Sequence, residues 1–156
     1  MTDDGLKGKV ALVTGAGSGI GYAIAQRFAK EGASLCINYY GHAEEAQVLA
    51  RQLSESGRAI AVEADVSQRD QVEKMVERTL HELGALDILV NNAGIEEYKP
   101  FLELDDATWD RIVSVDLRGT FLCTQVAARV ASDEASYVTG TTYYVDGGMT
   151  RYAQSL

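Results

Sequence analysis

The stretch Lys9-Val10-Ala11-Leu12-Val13-Thr14-Gly15-Ala16-Gly17-Ser18-Gly19-Ile20-Gly21 decides how the chain is read. Its first half is a short apolar run, the look of a strand buried on both faces. That run leads straight into a glycine-rich turn that opens a helix. The spacing Gly-x-Gly-x-x-Gly fails in both frames, because Ile20 and Tyr22 stand where the last glycine is needed. Glycines at 15, 19 and 21 fit a longer spacing with the same physics. Gly15 allows the tight turn off the strand, and Gly19 lets a pyrophosphate approach the backbone. Gly21 lets the helix pack closely on the sheet with its amide end facing the anion. On this reading the backbone amides from Thr14 to Ile20, Ser18 among them, form the cradle for a diphosphate. The bland alternative is a glycine-rich turn that binds nothing.

Working outward, apolar runs alternate with helical patterns. Ile20, Ala23, Ile24 and Phe28 recur at helical spacing up to Gly32, a good C-terminal stop. Ser34–Asn38 reads as a second strand, and Glu44–Ser56 as a helix with Val48, Leu49 and Leu53 on one side. Ala59–Val62 is a third strand. Ser67 is the expected N-cap of the next helix, with Asp70 making a near capping box. Val72, Met75, Val76, Thr79, Leu80 and Leu83 continue that helix to Gly84, and Leu86–Val90 is a fourth strand. Strict alternation of strands and helices argues an α/β fold, a doubly wound parallel sheet with right-handed crossovers. Asp105 or Asp106 caps a further helix through Trp109, Ile112, Val113 and Leu117, bent near Gly119 and running on to Val130. Trp109 and Phe101 read as packing residues. The length suits one Rossmann-type domain, 1–156.

Composition excludes several classes. Fourteen cations against 23 acids give a net charge of −9, without the basic stripe that gathers phosphate backbones, so nucleic acid is not an expected partner. Cys36 and Cys123 lie far apart among apolar neighbours, which reads as two reduced thiols. Met1-Thr2-Asp3-Asp4 has no cationic region followed by an apolar run, and no apolar run reaches the roughly 18 residues of a membrane helix. A cytoplasmic protein with no membrane partner is the expectation. His42 and His81 sit on helical surfaces without ligand partners, so no metal is expected.

Three motifs carry a family resemblance: Thr14-Gly15-x-x-x-Gly19-Ile20-Gly21, Asp65-Val66 after the third strand, and Asn91-Asn92-Ala93-Gly94 after the fourth. In this order, each at a strand end, they resemble the short-chain dehydrogenase/reductase family from about Lys7 to Val130. Asn38-Tyr39-Tyr40, Gly94-Ile95-Glu96 and the tail Tyr137–Gly140…Asp146–Thr150 look most like the glucose 1-dehydrogenases of that family. The resemblance implies a nicotinamide cofactor. Asp65 would accept from the adenine amino group, with the Val66 backbone beside it, while Asn92, Ala93 and Gly94 would line the ribose and the approach to the nicotinamide. Asn91 would mainly tie strands together. An NAD-selective site usually carries an acid at the end of the second strand, where this chain has Tyr39. An NADP-selective site wants a cation there or in the glycine loop, where Tyr40 and Ser18 stand. Use of NAD or NADP, with a slight lean to NAD, is the plainest reading.

The family's chemistry needs a serine and a Tyr-x-x-x-Lys helix. None of the eight tyrosines has a lysine four residues on, and the last lysine is Lys99. Ala131–Ala135 looks like the lead-in to the family's final strand, so strands five and six and the catalytic helix are missing. The junction falls near Val130/Ala131. An internal deletion, or a sequence joining two stretches of a longer chain, would both produce it. The family's fourth catalytic position, an asparagine, falls on Asp116; the alternatives are a proton-relay acid, a solvated carboxylate or a partner for Arg118. Glu96 lies where a substrate could meet it and points weakly to a polyol or sugar, the other reading being a surface charge. The resemblance implies a small-molecule alcohol or carbonyl substrate, hydride transfer to or from nicotinamide, and assembly as a tetramer or dimer. A catalytically inactive NAD(P)-binding fragment is the alternative.

Overall fold

The structure is a computed structural model, and it describes residues 5–55 and 57–130. Four strands and the helices between them follow in order: β1 (Val10–Val13), α1 (Gly19–Lys30), β2 (Ser34–Tyr39), α2 (Ala43–Ser54), β3 (Ala59–Glu63), α3 (Arg69–Leu83) and β4 (Ile88–Val90). A 3₁₀ turn (Phe101–Glu103) precedes α4 (Asp106–Val113), a π-helical segment (Ser114–Gly119) and α5 (Thr120–Val130). The strands form one parallel sheet in the order β3-β2-β1-β4, with Leu12 facing Cys36 on one side and Leu89 on the other. The doubly wound α/β reading therefore holds. Ser56, the sequence past Val130 with its tail, and the Ala131 side of the junction, for which expectations were given above, lie outside the described residues.

Pleat alternation splits the core in two. Val10, Leu12, Cys36 and Val62 face α3 and α5, where Val72, Met75, Val76, Leu122 and Val126 close the layer. Ala11, Val13, Leu35 and Ile37 face α1 and α2 through Ala25, Ala29, Ala46 and Leu49. Both faces of β1 are buried, as its unbroken apolar run required.

Side-chain placement departs from the sequence reading at several points. The buried face of α1 is Gly21, Ala25 and Ala29, while Ile20 is 75% exposed and Ala23 is exposed. Small residues win because the helix start is pressed against the turn: a Cβ at Gly21 would lie 2.7 Å from the Gly15 carbonyl oxygen. On α2, Ala46, Leu49 and Ala50 are buried and Val48 is exposed. Ser67 does not cap α3; Gln68 holds that position without a side-chain bond, and Ser67 is itself buried. The turn is closed instead by Asp65, whose Oδ1 accepts from Ser67 N at 2.9 Å, and by Gln71, whose Oε1 accepts from Asp65 N at 2.8 Å. Asp105 caps α4 as expected, accepting from Thr108 N at 2.7 Å. The expected bend near Gly119 takes the form of the π-helical segment that ends there. Trp109 and Phe101 are not packed among the described residues: both are exposed, Phe101 at 86%. Among these residues no helix is long and apolar enough to cross a membrane.

Candidate functional site

All four strands end on the same edge of the sheet, where open parallel sheets bind ligands. A cleft of about 660 Å³ opens there. Of the residues singled out from sequence, Gly15, Asp65, Val66, Ala93, Gly94 and Glu96 line it. Tyr40, Asn38 and, from α4, Arg111 complete much of its wall. Ser18, Gly19, Ile20, Gly21, Tyr39, Asn92 and Asp116 are not part of that wall.

The glycine turn divides its work more narrowly than the spacing suggested. The amides of Thr14 and Ala16 donate to the carbonyls of Val90 and Asn38, at 3.0 and 2.8 Å. The Gly15 amide donates to Asn38 Oδ1 at 3.2 Å. These three are spent on the fold, which corrects the expectation of a cradle starting at Thr14. From Gly17 to Gly21 the amides have no acceptor among the described residues, so the anion-binding capacity sits at the start of α1. Gly15 (φ 63°) turns the chain so closely that a Cβ there would lie 2.9 Å from Ala93 Cα. Gly19 (φ 58°) faces open space, with nothing within 4 Å of where a Cβ would stand. That is the room a ligand backbone approach requires.

At the end of β2 the two tyrosines part company. Tyr39 is 8% exposed and belongs to the core beneath α1 and α2, whereas Tyr40 is 69% exposed and lines the cleft. The pleat turns consecutive side chains to opposite faces, so the cleft residue is Tyr40 rather than Tyr39.

Asn38, quoted in the sequence reading only for its resemblance and given no role in the site, is 1% exposed and joins three segments. Its side-chain oxygen accepts from Gly15, while its nitrogen donates to the Ala64 carbonyl at 3.0 Å, with longer contacts to Tyr39 and Val62. A lone carboxamide in an otherwise apolar strand was the available signal, since a buried amide must find partners. Beyond it, Asp65 keeps one oxygen on Ser67 N and has no other acceptor bond among the described residues.

After β4 the two asparagines are bonded differently from the expectation. Asn91 donates to the Thr124 hydroxyl at 3.0 Å, fastening the loop to α5 rather than tying strands. Asn92 does the tying: its Nδ2 donates to the carbonyls of Thr14 and Gly15 at 2.9 and 3.2 Å. Asp116 accepts from Ile95 N at 2.9 Å and so pins the turn after Gly94. It does not pair with Arg118, whose Nη1 donates to the Ser67 carbonyl at 2.7 Å. Further along, Lys99 bridges Glu97, Asp105 and Thr108, and Arg111 pairs with Glu97. The Lys99 ammonium, with the Thr108 amide, holds Asp105 well below the usual carboxylate range. Asp105 and then Glu97 raise Lys99 in return. Burial pushes the Cys36 thiol up to about 12 and Cys123 up to about 11. No group of three or more metal-ligating side chains occurs among the described residues.

A family model described as short chain dehydrogenase matches residues 9–137. The chain belongs to that family. It is 40% identical over 134 residues to an uncharacterized oxidoreductase of Methylorubrum extorquens, covering 85% of this chain and 54% of the relative. A hydroxynaphthalene reductase-like protein of Metarhizium brunneum is 42% identical over 127 residues, covering 81% of this chain and 48% of the relative. Among solved structures, a dehydrogenase/reductase from Sinorhizobium meliloti superposes with a TM-score of 0.80 at 40% identity, covering 85% of this chain and 53% of that one. A short-chain type dehydrogenase/reductase from Mycobacterium marinum gives 0.76 at 38% identity, covering 80% and 51%. The chain thus spans about half the length of the curated relatives it matches.

Proposed function

We propose that the strand-end cleft holds the adenosine half of a nicotinamide dinucleotide, with the diphosphate at the start of α1. The observation that carries this is the pairing of two features at one sheet edge. They are the unspent amides Gly17–Gly21 beside open space at Gly19, and a cleft whose wall offers the Asp65 carboxylate. Gly19, Ile20 and Gly21, with Ser18, would hold the diphosphate. Asp65 would accept from the adenine amino group, Val66 and Ala93 would contact the nucleoside, and Gly94 would border the ribose. The cofactor, when bound, supplies or accepts the hydride; the chain's own residues bind and orient it. At the end of β2 the cleft meets Tyr40, neither an acid nor a cation, and the cation in its wall, Arg111, is paired with Glu97. Use of either NAD or NADP follows, with a slight lean to NAD.

Hydride transfer between nicotinamide and a small alcohol or carbonyl is the activity proposed for the complete protein. Glu96 on the cleft wall suits sugar hydroxyls, which supports a glucose 1-dehydrogenase-like substrate. The likeness to a hydroxynaphthalene reductase-like protein adds a fused-ring carbonyl to the substrates worth assaying. A second reading, nicotinamide-dinucleotide binding without turnover, is favoured by the absence of any Tyr-x-x-x-Lys in the sequence. We assign residues 1–156 to one dinucleotide-binding unit of a cytoplasmic homo-oligomer, a tetramer or dimer, with the junction near 130/131.

Calorimetric titration of the purified chain with NAD and NADP tests the binding step, and failure to bind either at millimolar concentration would falsify it. Reduction of the bound cofactor by glucose or a simple alcohol, monitored by nicotinamide absorbance, separates the two readings. Turnover supports the dehydrogenase; binding without turnover, at a mass near 16.9 kDa, supports the second.

A further inference from the structure

The cleft wall formed by Ala64–Ser67 is held at its two ends by residues outside it. At one end, Asn38 of β2 donates to the Ala64 carbonyl at 3.0 Å. At the other, Arg118 of the π-helical segment donates to the Ser67 carbonyl at 2.7 Å. Between these anchors lie Asp65 and Val66, which face the cleft. Neither anchor belongs to the loop's own helix. Gly119, next to Arg118, packs so closely that a Cβ there would stand 2.7 Å from Val66 Cγ2. Within the loop Asp65 spends one oxygen on Ser67 N, so the placement of Ser67 fixes the direction of the carboxylate.

We propose that Arg118 and Asn38 are positioning residues that aim the Asp65 carboxylate and thereby set the preference of the cleft for a ring bearing an amino group over one bearing a carbonyl. This rests on the reading of the cleft as the adenosine site. The chemistry is that of a charged acceptor: an ionised carboxylate rewards an N–H donor and rejects a carbonyl oxygen presented at the same place. Its discrimination survives only while the oxygen stays on the ligand's line, which a charge-assisted bond from an α4–α5 side chain enforces better than a mobile loop would. The π-helical turn matters because it brings Arg118 and Gly119 to bear on the same loop.

The test is a ratio of affinities on the full chain: NAD against its hypoxanthine analogue, in which a ring carbonyl replaces the amino group. The parent is expected to favour NAD by about tenfold, the scale of one hydrogen bond to a charged group. Arg118 is exposed, so Arg118→Ala should leave the fold intact while the ratio falls to about one through loss of NAD affinity. Arg118→Lys, which restores a cation within reach of the Ser67 carbonyl, should recover part of the preference. A general loosening would weaken both ligands equally and leave the ratio alone. Asn38→Asp keeps the acceptor for Gly15, removes the donor to Ala64 and is expected to lower the ratio as well; should it not fold, the Arg118 pair decides. A discriminating parent whose Arg118→Ala variant discriminates equally overturns the positioning role while leaving the site standing. A parent that binds NAD and the analogue alike removes the assignment of Asp65 itself, and the proposal with it.

Discussion

Asn92 donates to Thr14 twice, once from its backbone and once from its side chain. The Thr14 hydroxyl accepts from the Asn92 amide at 2.9 Å, and Asn92 Nδ2 donates to the Thr14 carbonyl at 2.9 Å. The same hydroxyl accepts from the Ala93 amide and donates to Val90 O, so one side chain 1% exposed fastens the end of β1 to the end of β4. Thr14→Val keeps the shape and strands two amides. A loss of about 2–3 kcal/mol is expected from urea unfolding, since a buried unmet donor costs more than its bond contributes. Thr14→Ser should lose less than half of that; equal losses for Val and Ser would show that the methyl group, not the hydroxyl, matters.

Two glycines of the turn should respond oppositely to substitution. Gly21→Ala puts a methyl 2.5 Å from Asn92 Nδ2 and 2.7 Å from the Gly15 carbonyl, and overpacking of this kind costs about 1–3 kcal/mol. Gly19→Glu places its side chain in open space, with a backbone cost of about 1–2 kcal/mol for the left-handed conformation. Its larger effect is expected on binding: a carboxylate beside the amides of α1 should weaken NAD about tenfold or more. Parent-like NAD affinity in Gly19→Glu would remove the diphosphate from this turn.

Asp87 accepts from the Val10 amide at 2.8 Å and from the Lys9 ammonium at 3.1 Å, and the Val10 bond, ahead of Lys9, lowers its pKa. A depressed folded pKa means the contribution is fully present above the unfolded value near 3.9 and is lost as pH falls through the folded value. Asp87→Asn should therefore cost stability at pH 7, by about 1 kcal/mol after allowance for partial exposure, and progressively less as the pH falls below the unfolded value. Urea melts of parent and variant across pH 2–7 check this; parallel curves would deny the linkage.

Cys36 and Cys123 are buried free thiols. With values pushed up to about 12 and about 11, neither presents a thiolate at pH 8. A thiol reagent at that pH should label the native chain slowly and the urea-unfolded chain at both positions. Rapid native labelling, mapped by peptide mass, would locate a layer that opens.

Asp116 replaces the asparagine expected from the family resemblance, yet what it does is accept from Ile95 N through Oδ1. Asparagine offers the same acceptor. Asp116→Asn should change the melting midpoint little, whereas Asp116→Leu should lower stability by about 1 kcal/mol through loss of that bond.

The fold was legible because its signals are local and repeated: an unbroken apolar run for β1, glycines at the element ends, and strict alternation. Which side of each helix faces inward was less legible. Ile20 and Val48 scored as core by hydrophobicity, but the close approach at Gly21 and the small residues Ala25, Ala29 and Ala46 set the buried faces. At the site, Gly19 and Asp65 were given their roles by motif, while the bracing roles of Asn38 and Arg118 were not legible, because they bond to carbonyls far away in the sequence. Strand tying falls to Asn92 and not Asn91 for a similar reason: side-chain direction at a strand end depends on the pleat and the turn, not on residue type.

The placement of Tyr39 and Tyr40 has an evolutionary corollary. Adjacent and chemically identical, one is committed to the interior and the other stands at the rim. If the cleft holds the dinucleotide as proposed, coenzyme choice is uncoupled from folding: arginine, aspartate or serine can be sampled at residue 40 without disturbing the helices above residue 39. On that reading, a lineage could drift between phosphorylated and unphosphorylated coenzymes by changes at this one exposed position, each variant keeping the interior intact.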